Sequence, residues 1–236
     1  MFGDLDPKIN RLAATLLGPG HTVVDIGANV GVFSLPAAKH VGRTGVVHAI
    51  EPQPDLVQRL ETARDRNGLP QMVIHGVALA ESDRIAHLSI PEHNRGAGSL
   101  ILRRPGDRRL PVPVRHAGDF LKRHIEGPVR LVKIDAEGSE AAIFRGALGW
   151  FSHVRPDAII FEAKEHRSYD DNAVVSLLRE MGYAVHPILP SLRRLRLASH
   201  TYAGSFRGIH DILALAPGVV GKDCTDSLLR AGARFV

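Results

Sequence analysis

Short apolar runs alternate along this chain with stretches whose apolar positions recur every three or four residues. The runs "TVVDIG" (22–27), "GVVHAIEP" (45–52), "QMVIHGVAL" (71–79), "VRLVKIDAEG" (129–138) and "DAIIFEA" (157–163) are short and rich in β-branched residues. They read as strands covered on both faces. Between them lie helical patterns at 7–17, 30–41, 54–68, 140–151 and 171–182. Pro7 falls in the first turn of its helix, and Gly68 and Gly182 close theirs. Pro36 must sit early in the 30–41 helix or bend it. Two further strands, "YAVHPIL" (183–189) and "HDILALAP" (210–217), have no helix between them and are expected to pair antiparallel at the sheet edge. The rhythm predicts an α/β fold with a mostly parallel sheet and helices on both faces.

The segment 91–113, "PEHNRGAGSLILRRPGDRRLPVP", breaks this rhythm. Rich in Gly, Pro and Arg, it reads as an insertion over the active face. With no internal repeat or linker, residues 1–236 are expected to form one domain with a polar tail over 217–236. No apolar run is long enough to span a bilayer. The opening residues, with Asp4 and Asp6 and no basic start, do not read as a secretory signal. The single cysteine, Cys224, rules out a disulfide framework and a Cys-based zinc site and points to a reducing, cytoplasmic setting. The net charge of +5 invites a nucleic-acid partner, but aromatics are only 5%, too few for base-stacking platforms. A small-molecule acceptor is the expected partner, and the oligomeric state, a homodimer among the options, stays open.

Candidate chemistry starts at "VVDIGANVGVFS" (23–34). In an open parallel sheet, ligands bind at the carboxyl ends of the strands. Gly27 and Gly31 permit a tight turn there and the approach of backbone N–H groups to a ligand. The spacing is not that of a dinucleotide fingerprint. Asp25, two residues before the first glycine, would repel a pyrophosphate but suits a ligand amino group. Glu51 ends the second strand twenty residues after Gly31, where a carboxylate accepts hydrogen bonds from ribose hydroxyls. A nucleoside carrying an amino-acid tail fits both turns, and S-adenosylmethionine is such a molecule.

Taken in order, "VVDIGANVGVFS", "AIEPQP", "RNG", "LVKIDAEGSEAAIFRGA" and "IIFEA" resemble the FkbM family of S-adenosylmethionine-dependent methyltransferases. The resemblance runs from about Thr22 to Ala163 and is most specific at "KIDAEGSE". It implies the seven-stranded, Rossmann-like class I methyltransferase fold and methyl transfer, usually to a hydroxyl oxygen of a macrolide, sugar or related metabolite. It also implies that Asp25, Gly27, Ala28, Asn29, Gly31 and Glu51 line the cofactor site, with Pro52, Ala78 and Asp135 completing the set. Asn67 falls where the family usually has asparagine. The resemblance fades at 91–113 and after residue 186, where acceptor recognition is expected, including "RRLR" (193–196).

The acids after the fourth strand need their own account. Lys133, Asp135 and Glu137 alternate, so on an extended chain they share one face. Glu162 ends the fifth strand at the same sheet edge. Three readings are open. Lys133 pairs with an acid and the group is structural. Alternatively, Asp135 or Glu162 accepts the proton of a substrate hydroxyl, with Lys133 and Glu137 beside it. In the third, Asp135 and Glu162 hold a divalent cation such as Mg²⁺. Gly138 opens the next helix, and Ser139 and Glu140 suit its first turn. His166 and His210 are alternative bases, whereas His48 and His75 lie within strands.

Overall fold

A computed structural model describes residues 7–235 apart from 93–95, 97, 104, 164–171, 190–194 and 199–209. His166, Arg193 and Arg194 therefore lie outside the described residues. In chain order the elements begin with α1 (Pro7–Leu16), β1 (Thr22–Ile26), α2 (Ser34–Val41), β2 (Val46–Ile50), α3 (Pro54–Arg66), β3 (Met72–His75), β4 (Ala78–Ala80), β5 (Arg84–Ile90) and β6 (Arg108–His116). They continue with α4 (Ala117–His124), β7 (Leu131–Ile134), α5 (Glu140–Gly146), α6 (Leu148–Val154), β8 (Ala158–Glu162), α7 (Ala173–Glu180), β9 (Ala184–Leu189), β10 (Arg196–Leu197), β11 (Asp211–Leu215), α8 (Val219–Arg230) and β12 (Arg234–Phe235).

The main sheet runs β12-β10-β9-β11-β8-β7-β1-β2-β3. β3, β2, β1, β7 and β8 are mutually parallel, whereas β11 is antiparallel to both β8 and β9. The seven strands read from the sequence are all present, except that the run 71–79 divides into β3 of this sheet and β4 of a second one. The antiparallel one lies inside the sheet, between β8 and β9, rather than at its edge. β10 and β12, two residues each, extend the sheet to nine strands. The fold is Rossmann-like, as in class I methyltransferases.

The strands are apolar on both faces because both are covered. Val23 and Val24, neighbours on β1, are fully buried in different cores. Successive side chains point to opposite sides of a strand. Val23 belongs to one layer, with Ala13 of α1, Ala37 of α2, Leu60 of α3 and Leu228 of α8. Val24 belongs to the other layer, with Leu121 of α4, Phe144 of α5, Phe151 of α6 and Val175 of α7. Cys224 on α8 is fully buried, so 217–236 is not a polar tail; burial pushes the thiol up to about 11, and it acts as a packing residue. His48 and His75 also pack. Their rings stack on β2 and β3 with Nδ1 and Nε2 3.1 Å apart, and burial lowers both to about 4.

Segment 91–113 is not loop throughout. Its last part belongs to β6, which pairs antiparallel with β5, from Arg84 opposite Val114 to Ile90 opposite Arg108. With β4 they form a second sheet in the order β4-β6-β5. Pro111 and Pro113 hid β6 in the sequence. They are tolerated because β4 joins β6 only from Val114 onward, leaving one side of the earlier stretch without a strand partner. The 140–151 helix is two short helices. Gly146 lies so close to the Ala80 carbonyl that a Cβ there would be 2.5 Å from the oxygen, and Ala147 turns out of helical geometry.

Gly27 sets the spacing between β1 and β7. Its φ is +85°, and a Cβ built on it would lie 1.8 Å from the Asp135 carbonyl oxygen. Gly27→Ala combines an unfavourable backbone conformation with a main-chain clash. It should destabilise the fold by about 2–5 kcal/mol in urea denaturation.

Candidate active site

β1, β2 and β7 end side by side, and a cleft opens where they stop. Gly27, Asn29, Glu51, Pro52, Ala78 and Asp135 line it, together with Glu137 and Ser139. Its remaining wall is largely apolar, with Leu56, Val77, Leu79 and Leu88 among its residues. Gly96 and residues 98–100, between β5 and β6, cover the opening. Asn29 Nδ2 donates to the Gly96 carbonyl at 3.1 Å, and Ser99 Oγ donates to the Glu137 carbonyl at 2.7 Å. Gly98 and Leu100 also reach the cleft.

Glu51 is only 6% exposed, yet both carboxylate oxygens are engaged. Oε2 accepts the Asn29 N–H and Oε1 the Gln53 N–H, each at 2.9 Å. Asn29 reaches its position through a left-handed conformation, φ +51°, which asparagine tolerates better than most residues. Burial raises Glu51 to about 7 against the two backbone hydrogen bonds that oppose the shift. The glycine turn itself binds protein. The N–H groups of Gly27 and Ala28 both donate to the Ile50 carbonyl, and Gly31 packs under Leu60 and Leu35. Ala28 and Gly31 stand behind the cleft.

Asp25 also stands behind it, fully buried. Ser34 Oγ, from the start of α2, donates to its Oδ2 at 2.5 Å. Lys133, opposite it on β7, places Nζ 3.6 Å from Asp25 Oδ1 and 3.2 Å from Asp135 Oδ2. The cation expected beside Asp25 is thus a lysine of the chain. Burial weighs most on Lys133 and disfavours its charge, but Asp25 and Asp135 together overcome it and hold the ammonium above its ordinary range. Asp25 is raised, by burial first, with Lys133 and Ser34 opposing.

Lys133, Asp135 and Glu137 do not share a strand face. β7 ends at Ile134, and Glu137 has φ +50° in a turn, so strand alternation stops short of it. Asp135 and Glu137 both reach the cleft, whereas Lys133 lies beneath it. Glu140 shapes the turn: its Oε1 accepts the N–H groups of Ala136 and Gly138 at 2.8 and 3.2 Å. Glu162 ends β8 opposite Asp211 of β11, outside the cleft lining. Asp211 is bound to Lys8 of α1 at 2.8 Å. His210 is exposed, and its carbonyl accepts the Ala163 N–H. Asn67 caps the end of α3, its Nδ2 bonded to the Ala63 carbonyl. Among the described residues, no group of three or more His, Cys, Asp or Glu side chains is placed to hold a metal ion.

The model of the methyltransferase FkbM domain matches residues 25–185, the span from the end of β1 through the cleft and β8. The chain belongs to the methyltransferase FkbM family. A segment of 69 residues, 29% of this chain, is 39% identical to the AMB antimetabolite synthetase AmbE of Pseudomonas aeruginosa, of which it spans 3%. Among solved structures, an FkbM methyltransferase from Methylobacillus flagellatus superimposes with TM-score 0.52 at 18% identity, over 86% of this chain and 47% of that one. A precorrin-6y C5,15-methyltransferase from Geobacter metallireducens gives 0.51 at 14% identity, over 88% and 86%. At these identities the superpositions speak for the fold, which is that of S-adenosylmethionine-dependent methyltransferases. No helix among the described residues of this FkbM-family chain is long and apolar enough to cross a membrane.

The sequence reading missed Gln53, Val77, Leu79, Ser139 and the residues of the cover. Gln53 carried a signal, since it follows Glu51 by two in an extended stretch and so returns to the same side. The segment 91–113 reads as lying over the active face, but which of its residues reach the cleft depends on β5 pairing with β6.

Lys133→Met leaves Asp25 buried without its cation. It should cost about 3–5 kcal/mol by chemical denaturation at pH 7. Adding Asp25→Asn should restore a large part of that loss.

Proposed function

We propose that the chain transfers a methyl group from S-adenosylmethionine to a hydroxyl oxygen of a small-molecule acceptor. The observation that carries this reading is Glu51, a buried carboxylate in the wall of a largely apolar cleft at the end of β2, in a chain of the FkbM family. Each Glu51 oxygen accepts one backbone N–H and keeps another lone pair, so a ribose diol finds two acceptors. Pro52, Ala78 and Leu79 offer an apolar wall for a purine, and Gly27 and Asp135 border the end assigned to the amino-acid tail. When bound, the cofactor supplies a methyl group already activated on a sulfonium. The protein's tasks are then alignment and the disposal of one proton.

Asp135 is the proton acceptor in this reading. It lines the cleft with its side chain 41% exposed, whereas Asp25 is enclosed and Glu162 lies outside the lining. Lys133 positions it, fixing Asp25 and Asp135 at once. Glu137, at the cleft beside the cover, adds negative charge where a sulfonium would be favoured. Arg103, Arg108 and Arg109, exposed near the cover, suit an anionic or sugar-rich acceptor.

Two measurements test this. Ribose hydroxyls donate to the ionised form of Glu51, so binding should release a proton. S-Adenosylhomocysteine affinity should then rise through pH 7, by up to about tenfold per unit below it, and level off above. Calorimetry at several pH values should show this in the wild type and a flatter, weaker response in Glu51→Gln. Asp135→Asn should lower kcat about 10²–10⁴-fold while changing cofactor affinity far less. Turnover at the wild-type rate would remove Asp135 from the proton role.

A further inference from the structure

Gln53 has an unusual environment. Its side chain is 1% exposed and lines the cleft, and among the described residues neither Nε2 nor Oε1 has a hydrogen-bond partner. Because both amide atoms are unpaired, exchanging them changes nothing. A buried primary amide left in this condition is costly, and natural proteins avoid it unless something else satisfies the group. The surroundings offer little. Leu56 and Leu88 line the same part of the cleft, and Oε1 lies just beneath Gly98 of the cover. The main chain of Gln53, by contrast, is committed, its N–H bonded to Glu51 Oε1.

We infer that the Gln53 side chain reads the edge of the cofactor's purine ring and makes the cleft specific for adenine. The inference rests on the cofactor reading of Glu51. One residue then serves both halves of the nucleoside, its backbone orienting the ribose acid and its amide facing the base. A primary amide carries one acceptor and a pair of donors on neighbouring atoms. Adenine presents the complementary pattern, the N6 amino donor beside the N7 or N1 acceptor, and glutamine pairs with it bidentately. Hypoxanthine replaces the amino group with a carbonyl. On the N7 side it shows two acceptors, and on the N1 side the donor and acceptor are reversed. With nothing to fix its orientation, the amide discriminates at the N7 edge, where adenine matches it and hypoxanthine sets an acceptor against the amide oxygen whichever way it turns. An apolar slot alone would bind both bases about equally, since it gains only from their shared rings.

The test compares S-adenosylhomocysteine with S-inosylhomocysteine by calorimetry on wild-type protein and Gln53→Leu, together with the thermal stability of both proteins without ligand. We expect the wild type to prefer the adenosyl compound by about 5–150-fold. Gln53→Leu should bind the adenosyl compound more weakly and reduce the preference to within about threefold. Without ligand, this variant should melt no lower than the wild type, because it removes a buried amide that makes no internal bond. If Gln53→Leu keeps the wild-type preference, or if it melts well below the wild type, Gln53 is a packing residue and the inference is overturned. If wild-type protein binds neither compound, the cofactor reading itself falls and takes this one with it. Binding of the adenosyl compound without base preference overturns only the role of Gln53.

Discussion

A lysine held between two aspartates fixes the geometry on which the rest of this structure depends. Lys133 on β7 lies across from Asp25 on β1 and reaches Asp135, the first residue past its own strand. The two enclosed charges, Lys133 and Asp25, are tolerable only as partners, with Asp135 at the cleft completing the set. Asp25 needs the ammonium because it is fully enclosed, and the ammonium needs both acids because burial works against it. The set ties the end of β1 to the end of β7 at the place where Gly27 lets the two backbones touch. The cleft inherits its floor from that junction. Asp135 faces it on one side of the lysine, Asp25 closes it from behind on the other, and Ser34 extends the link into α2.

Much of this was legible in the sequence. Apolar runs of four to six residues between helical patterns identify a parallel sheet, and the strands they mark are the ones that form. Six of the residues expected near the cofactor, Gly27, Asn29, Glu51, Pro52, Ala78 and Asp135, come together in one cleft because they sit at the carboxyl ends of adjacent strands. Sequence position was a poorer guide to what each side chain faces. Asp25 looked like a ligand group and is an internal counter-ion. Ala28 and Gly31 belong to the same turn but serve its packing. Lys133, Asp135 and Glu137 alternate in the sequence, but alternation holds only while the chain remains extended, and here it ends at Ile134.

The second sheet was the least legible part. β6 contains two prolines and three arginines, a composition that argues against a strand taken alone. It forms because β5 supplies seven consecutive partners and because the prolines fall where one side of the strand is open. Such information is relational, present in neither segment by itself. The cover over the cleft depends on the same pairing, so its contacts through Asn29 and Ser99 were hidden for the same reason.

The placement of β11 bears on how the chain reaches this state. It follows the other six long strands of the main sheet in the chain, yet it occupies an interior position between β8 and β9. A ribosome releases β8 some fifty residues before the strand that will lie against it, and for that interval the fully apolar stretch Ala158–Phe161 presents an open edge. Unpaired edges of this kind recruit other chains, and contacts that wait on distant sequence form slowly. The sheet is therefore complete only once this late strand lies between two earlier ones. Until Asp211–Leu215 is in place, β8 keeps an edge of the kind that recruits other chains.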